Sequence, residues 1–516
     1  MLTLTKSVFR LAASVIAASL AMAAPVCAQT NLDSSAALTK LAQGSFPEYL
    51  QFLAMPSDAV VSQDIQKAAS FVEVAFRKRG FTVHQLANDG KPLVMAEFPA
   101  KTAGGKTVLF YMHLDAQPVT PAEWSQKDPW SPVVKKKNAA TGKWDEVPQD
   151  LLYAPALDPE LRVFARAASD DKAPIMMFLA AFDGLNAAHV KPAVNVKVLI
   201  DSEEEKGSPA MATVIARNLE LLRCDAIVIH DGPRHASERP TLIFGNRGAA
   251  LATLTVYGPS APLHSGHYGN YVPNPAMRLA QLLASMKDDQ GRVLIKGYYD
   301  PVKLSDADRQ VLAATGDDEA GILKRTGIAK AEAVGSNYQE SLQYPSLNVR
   351  GMASASIGPK AANIVPSLAV AELDLRTTPE TPPDYLFGLI KAHVQAQGYH
   401  LVDGKPTEAD RAAYDKLASL AVSAGGHAMR TPLDAPLGQW AYKVLKAGDA
   451  AREPVRIRMM GGSVPTDSMV DALKVPFVIL PLVNGDNNQH TYDENMRMGH
   501  YLAGIGTLLG LLRTPY

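Results

Sequence analysis

Four short runs constrain this chain most: TVLFY at 107–111, VKVLI at 196–200, DAIVI at 225–229 and VPFVIL at 475–480. Each is apolar and rich in β-branched or aromatic residues, and each is too short for an ordinary helix. They read as strands buried on both faces. Helical patterns such as KAPIMMFLAAFDGL and PAMATVIARNLELL lie between some of them. That alternation predicts an α/β domain built on a largely parallel sheet. At 516 residues the chain exceeds one ordinary core, so a second domain is expected.

Every one of these runs gives way to chemically capable side chains. The first leads into His113-Leu114-Asp115, the second into Asp201, Glu203, Glu204 and Glu205, the third into His230-Asp231-Gly232, and the fourth into a loop ending Gln489-His490-Thr491. The loop ARAASDDKAP adds Asp170 and Asp171 just before a helix. Ligands of open α/β sheets bind beyond the carboxyl ends of strands, so these ends point to one site. Imidazole with carboxylate oxygen suits zinc, and also manganese or cobalt, and no cysteine cluster suggests structural zinc or iron–sulfur. Each member alone has a blander reading: an aspartate after a strand caps or turns, and an acidic run is solvated. Their joint occurrence at strand ends favours metal catalysis.

Composition closes other routes. The net charge of −1 leaves no basic footprint for nucleic acid, and no glycine-rich phosphate loop comes after a candidate strand. At the N-terminus Lys6 and Arg10 precede the apolar run LAASVIAASLAMAA, and Val26-Cys27-Ala28 offers a cleavage site, so 1–28 reads as a Sec signal peptide and the destination as secreted, periplasmic. Cys27 leaves a lipid-anchored start as the minor reading, since Val26 is bulky for that position. Cleavage after Ala28 leaves Cys224 alone, with no intrachain disulfide. No later stretch has the length of a membrane span.

HLDAQPV (113–119), ASDDKAP (168–174), EEEKGSP (203–209), VIHDG (228–232), LHSGHYGN (263–270), GGSVPTD (461–467) and HTYDE (490–494) together resemble, in order and spacing, the motifs of the dinuclear zinc metallopeptidases. That family includes carnosinase, bacterial dipeptidases, glutamate carboxypeptidase, aminoacylase and succinyl-diaminopimelate desuccinylase. The HLDAQPV and DDK wording is most similar to the carnosinase and dipeptidase branch. The resemblance implies two Zn2+ per subunit, with Mn2+ or Co2+ as alternatives. Asp170 would bridge them, His113 and Asp231 completing one site and Glu205 and His490 the other. It makes Glu204 the general base for a water between the metals, Asp115 the carboxylate orienting His113, and the Asp170–Asp171 peptide cis. Glu203 remains a solvated or structural carboxylate, and Lys172 structural.

From about 243 to 430 the pattern changes to strand-like RGAALATLTVYG and AVAELDLRT with helices in NPAMRLAQLLASM and PPDYLFGLIKAHVQAQGY, around a polar stretch at 290–340. This predicts an α+β sandwich, and the resemblance makes it a lid and dimerisation domain inserted between catalytic parts at 29–242 and 431–516. His264, Asn363, Arg376 and Ser463 match substrate-pocket positions. The first two would reach into a partner's site in a homodimer, and the arginine would clamp a substrate carboxylate. Alanines 165, 167 and 173 and Met112 stand where the family usually has glycine. The expected activity is cleavage of dipeptides or small peptides. The alternatives are an N-acyl amino acid amidohydrolase of the same mechanism and, more remotely, a non-catalytic solute-binding protein.

Overall fold

The strand Thr107–His113 shows why both faces of the sheet are covered. Val108, Phe110 and Met112 join one buried cluster with the helices Ser35–Leu53, Lys172–Ala187 and Met498–Arg513. Leu109 and Tyr111, pointing the other way, join a second cluster with Met211, Ile215 and Met469 from the helices Met211–Arg217 and Asp467–Leu473. A period of two with apolar residues at both parities gives a continuous hydrophobic run. The packing is dense: the rings of Phe110 and Phe178 lie 5.2 Å apart, and truncating such a buried ring to alanine costs about 3–5 kcal/mol.

The computed structural model describes residues 32–99 and 104–516. The signal-peptide reading of 1–28 lies outside the described residues. An eight-stranded sheet runs in the order 82–86, 93–97, 195–201, 107–113, 226–229, 477–479, 241–243, 455–457. Its four central strands are the four runs read from sequence, and all three pairings among them are parallel. The antiparallel pairs lie at the 82–97 edge and at the single contact of Ile479 with Ile243. The fold is thus α/β with a mostly parallel sheet.

A second, five-stranded sheet has the order 346–353, 368–377, 248–257, 417–424, 400–401, antiparallel except for its last pair. Its two long strands alternate buried with half-buried residues, the signature of a sheet covered on one face. Helices Pro275–Met286 and Pro383–Ala396 cover that face through Leu279, Leu282, Leu386 and Ile390. The sandwich keeps this core of its own inside the single compact unit formed by Leu32–Tyr516.

The polar stretch at 290–340 is more ordered than its composition suggests. It carries the helices Asp306–Ala313, Glu319–Thr326 and Tyr338–Ser341. Ser305 and Asp308 form a capping box for the first, and Asp318 caps the second, which Gly327 ends at φ 71°. A small four-stranded sheet, 495–497, 162–164, 133–137 and 144–146, was also not evident from sequence. It matters because it lays the 490–497 segment beside the loop carrying Asp170.

Candidate metal centre

The strand ends do meet. His113 is the last residue of its strand, and its Nε2 lies 2.9 Å from Asp170 Oδ1 and 4.0 Å from Asp231 Oδ1. The other oxygen of Asp170, Oδ2, lies 3.1 Å from His490 Nε2, which is 3.2 Å from Glu205 Oε2. One carboxylate therefore stands between two histidines, one oxygen turned to each. Two donor groups result: His113, Glu204 and Asp231, and Asp170, Glu205 and His490. Glu204 falls inside the first group, near enough to share a cation with it.

The backbone that presents these groups is held by other carboxylates. Asp201 accepts from the amides of Ser202 (2.6 Å) and Glu203 (3.0 Å), and its second oxygen takes the hydroxyls of Tyr111 and Ser208, so it ties down the turn after its strand. Asp115 accepts from the amides of Glu204 and Glu205, both at 3.0 Å. The imidazole of His113 reaches the Asp115 carbonyl at 3.1 Å and its carboxylate at 3.5 Å. Asp115 therefore fixes both a histidine and the turn of two glutamates. Asp171 accepts from the His113 amide at 3.1 Å, and the Asp170–Asp171 peptide is cis. Glu203 is structural: Asn88 and Lys91 donate to it at 2.8 and 2.5 Å. Lys172, wholly buried, donates to the carbonyls of Phe52 and Met55.

Sequence reasoning assigned no role to Glu494, the hub of the site. It is 1% exposed and accepts from Arg166 Nη1 (2.9 Å), the amides of Ala167 (2.8 Å), Ser169 (2.9 Å) and Asp170 (3.0 Å), and the Ser169 hydroxyl (3.0 Å). Ala167, one of the alanines standing for glycine, sits at φ 61° in this loop, and His490 sits at φ 61° in the facing one. The available signal was the acid four residues after His490 in HTYDE, where a carboxylate is placed to organise the neighbouring loop.

Electrostatics show what the cluster lacks. Burial drives Glu204 well above the usual carboxylate range, helped by Asp231. Burial and Asp170 push Glu205 up to about 7, and burial with the same neighbour pushes Asp231 up to about 6. Asp170 is buried too, yet His113 and His490 hold it well below the ordinary value. The carboxylates of Asp170 and Glu205 beside it raise His490 to about 9. Carboxylates that resist ionising together, and a buried Asp170 Oδ2 without a well-directed hydrogen bond, describe a site whose negative charge calls for cations. The donor set, two imidazoles and four carboxylates, fits divalent metals.

Beside the cluster opens a cleft of about 620 Å³ lined by Glu204, Glu205, His490, His427 and Ser463. Of the predicted substrate residues only Ser463 lines it. Arg376 lines an adjoining pocket of about 270 Å³, and both cavities are bordered by Gly425. His264 pairs with Ile364 on a short ladder, and Asn363 directly precedes Ile364, its carbonyl accepting from the Ser265 amide at 2.9 Å. His264 and Asn363 are exposed and line neither cavity.

Residues 109–514 match Peptidase family M20/M25/M40, and the chain belongs to that family. It is a metallopeptidase whose relatives lie in the dipeptidase and carnosine-dipeptidase branch. A Cys-Gly metallodipeptidase of Schizosaccharomyces pombe is 26% identical over 87% of this chain and 90% of its own length. The human Beta-Ala-His dipeptidase is 23% identical over 80% of this chain and 75% of its own. Among solved structures, a metallo-carboxypeptidase of the family from Sulfolobus solfataricus superposes with a TM-score of 0.69 at 26% identity, covering 91% of this chain and 98% of that one.

Proposed function

We propose that the protein is an exported dipeptidase that hydrolyses the amide bond of dipeptides or small peptides at a centre of two divalent cations. The observation that carries this is Asp170 standing between two donor groups at the edge of a cleft that Glu204 also lines. His113, Asp231 and Asp170 would hold one cation, and Glu205, His490 and Asp170 the other, with zinc the natural fit and manganese or cobalt alternatives. Bound there, the cations supply Lewis-acid polarisation of the scissile carbonyl and acidification of a water. Glu204 removes the proton of the attacking water and returns it to the departing amine. Asp115 positions His113 and the glutamate turn. Ser463 contacts substrate in the cleft, and Arg376, one pocket away, clamps its free carboxylate.

The sandwich at 243–430 acts as lid and dimerisation domain. The exposure of His264 and Asn363, outside their own cleft, supports their service in the site of a partner subunit. The N-terminal charge and apolar run support export to the periplasm with cleavage after Ala28.

The test is amide hydrolysis by metal-loaded protein against dipeptides and N-acyl amino acids, with Glu204→Gln alongside. Dipeptide turnover that falls at least about 100-fold in the mutant, within the range for a lost general base, is the expected result. Turnover confined to N-acyl amino acids would replace the substrate class. A fully active mutant would remove Glu204 from the chemistry.

A further inference from the structure

A second cavity, of about 320 Å³, lies between the sandwich and the 319–347 segment and shares no lining residue with the catalytic cleft. Its wall is mainly apolar and aromatic, with Tyr299, Ile322, Leu323, Tyr338 and Leu347, and one buried cation, Arg247. The backbone around Arg247 leaves little latitude. Next to it a Cβ on Gly248 would lie 2.4 Å from Thr377 Oγ1 and 2.6 Å from the Ala428 amide nitrogen, so the chain must pass here as glycine.

Arg247 is 6% exposed. Its Nη2 donates to the Tyr344 carbonyl at 3.0 Å, while its Nε has no hydrogen-bond partner. Among the described residues no carboxylate forms an ion pair with it. After burial, the neighbour that perturbs it most is another cation, Arg376, and together they lower its guanidinium to about 10. Of the other charges of the wall, Lys287 pairs with Glu332 at 2.8 and 3.0 Å, while Glu319 accepts from the Tyr338 amide at 3.1 Å and forms no ion pair with Arg247. A buried guanidinium without an anion is unfavourable, and a planar donor fork is matched by a carboxylate. A cavity of this size with apolar walls and few polar groups has the make-up of a small-molecule site.

We propose that this cavity binds a small carboxylate with an apolar body, the carboxylate on Arg247 and the body between Tyr299, Tyr338 and the aliphatic wall. With Lys287 paired to Glu332, Arg247 is, among the described residues, the one cation of the wall without a carboxylate partner, which suits a single negative charge rather than a phosphate dianion. The site adjoins the proposed substrate clamp, since Ser346 lines the cavity and its Oγ accepts from the Arg376 amide at 3.3 Å.

Calorimetric titration of the metal-loaded full chain with 3-phenylpropanoate, and with neutral 3-phenylpropanamide, tests this. Arg376→Gln separates the cavity from the catalytic cleft, which holds its own candidates for a carboxylate. Arg247→Met removes the cation, and Ala331→Phe, on an exposed part of the wall, fills the chamber while leaving Arg247 in place. The expected result is millimolar or tighter binding of the acid, weakened at least about tenfold in Arg247→Met and Ala331→Phe and by less than about threefold in Arg376→Gln, which removes only a neighbouring charge, with the amide not bound. Should Arg247→Met fail to fold, Ala331→Phe decides. No binding of the acid, binding that survives Ala331→Phe, or equal binding of the amide overturns the proposal.

Discussion

Replacing Glu494 by glutamine changes no shape and removes one charge, which makes it a sharp probe of the loop carrying Asp170. Its Oε1 serves Ser169 twice and the Asp170 amide, and its Oε2 serves Arg166 and the Ala167 amide. Whichever oxygen becomes an NH2 then faces at least two donors, each buried group left unsatisfied costing about 1–3 kcal/mol. Arg166 also loses the ionic partner of an ion pair whose side chains are 4% and 1% exposed, and breaking a buried pair from one side costs about 3–5 kcal/mol. These contributions overlap, so we expect a loss of about 4 kcal/mol. The assay is the guanidinium midpoint of the metal-loaded chain, compared at equal slope, with bound metal measured in parallel. Because Asp170 hangs from this carboxylate, metal affinity should fall about 10–100-fold. A stability loss under about 1 kcal/mol with unchanged metal content would refute the view that Glu494 organises the site.

Stripping metal with a chelator should lower Tm and restoring zinc should recover it, because a cation at about 100 times its dissociation constant adds about 2.7 kcal/mol; an unchanged Tm counts against a metal centre. Glu203→Gln should keep kcat near wild type, in contrast to Glu204→Gln, while losing about 1 kcal/mol of stability from the Asn88 and Lys91 contacts; a collapse of kcat would assign Glu203 a direct role. Cys224 is the only cysteine among the described residues, and burial pushes its thiol up to about 12. Since only the thiolate reacts, alkylation of the native protein should be slow at pH 8 and rise about tenfold per pH unit toward that value. Fast labelling at pH 8 without denaturant would contradict it.

The central sheet was legible because its strands are buried on both faces, so 107–111, 196–200 and 225–229 stand out as mostly apolar runs with apolar residues at both parities. His113, Glu204, Glu205 and Asp231 were legible because they end or closely follow those strands, whereas Asp170 and His490 sit on loops and were placed by the motif resemblance. The features hidden from the sequence depend on long-range pairing. The 162–164 strand is three residues long and gains meaning only beside 495–497. Glu494 then reads as one more polar residue until that pairing puts its carboxylate under the Asp170 loop. The 290–340 segment was opaque for another reason: its helices are eight residues or shorter and mostly exposed, so they lack an apolar stripe and show only in their caps.

The Asp170 amide and the carboxylate that holds it are 324 positions apart in the chain. A nascent polypeptide that has emerged through the sandwich still lacks both His490 and Glu494, so its acidic residues face one another with neither the second imidazole nor the anchor. Domains fold as they are completed during synthesis, and this centre closes only when the last stretch joins the first. The protein should therefore take its metal only once that last stretch has joined, at the end of folding rather than during synthesis.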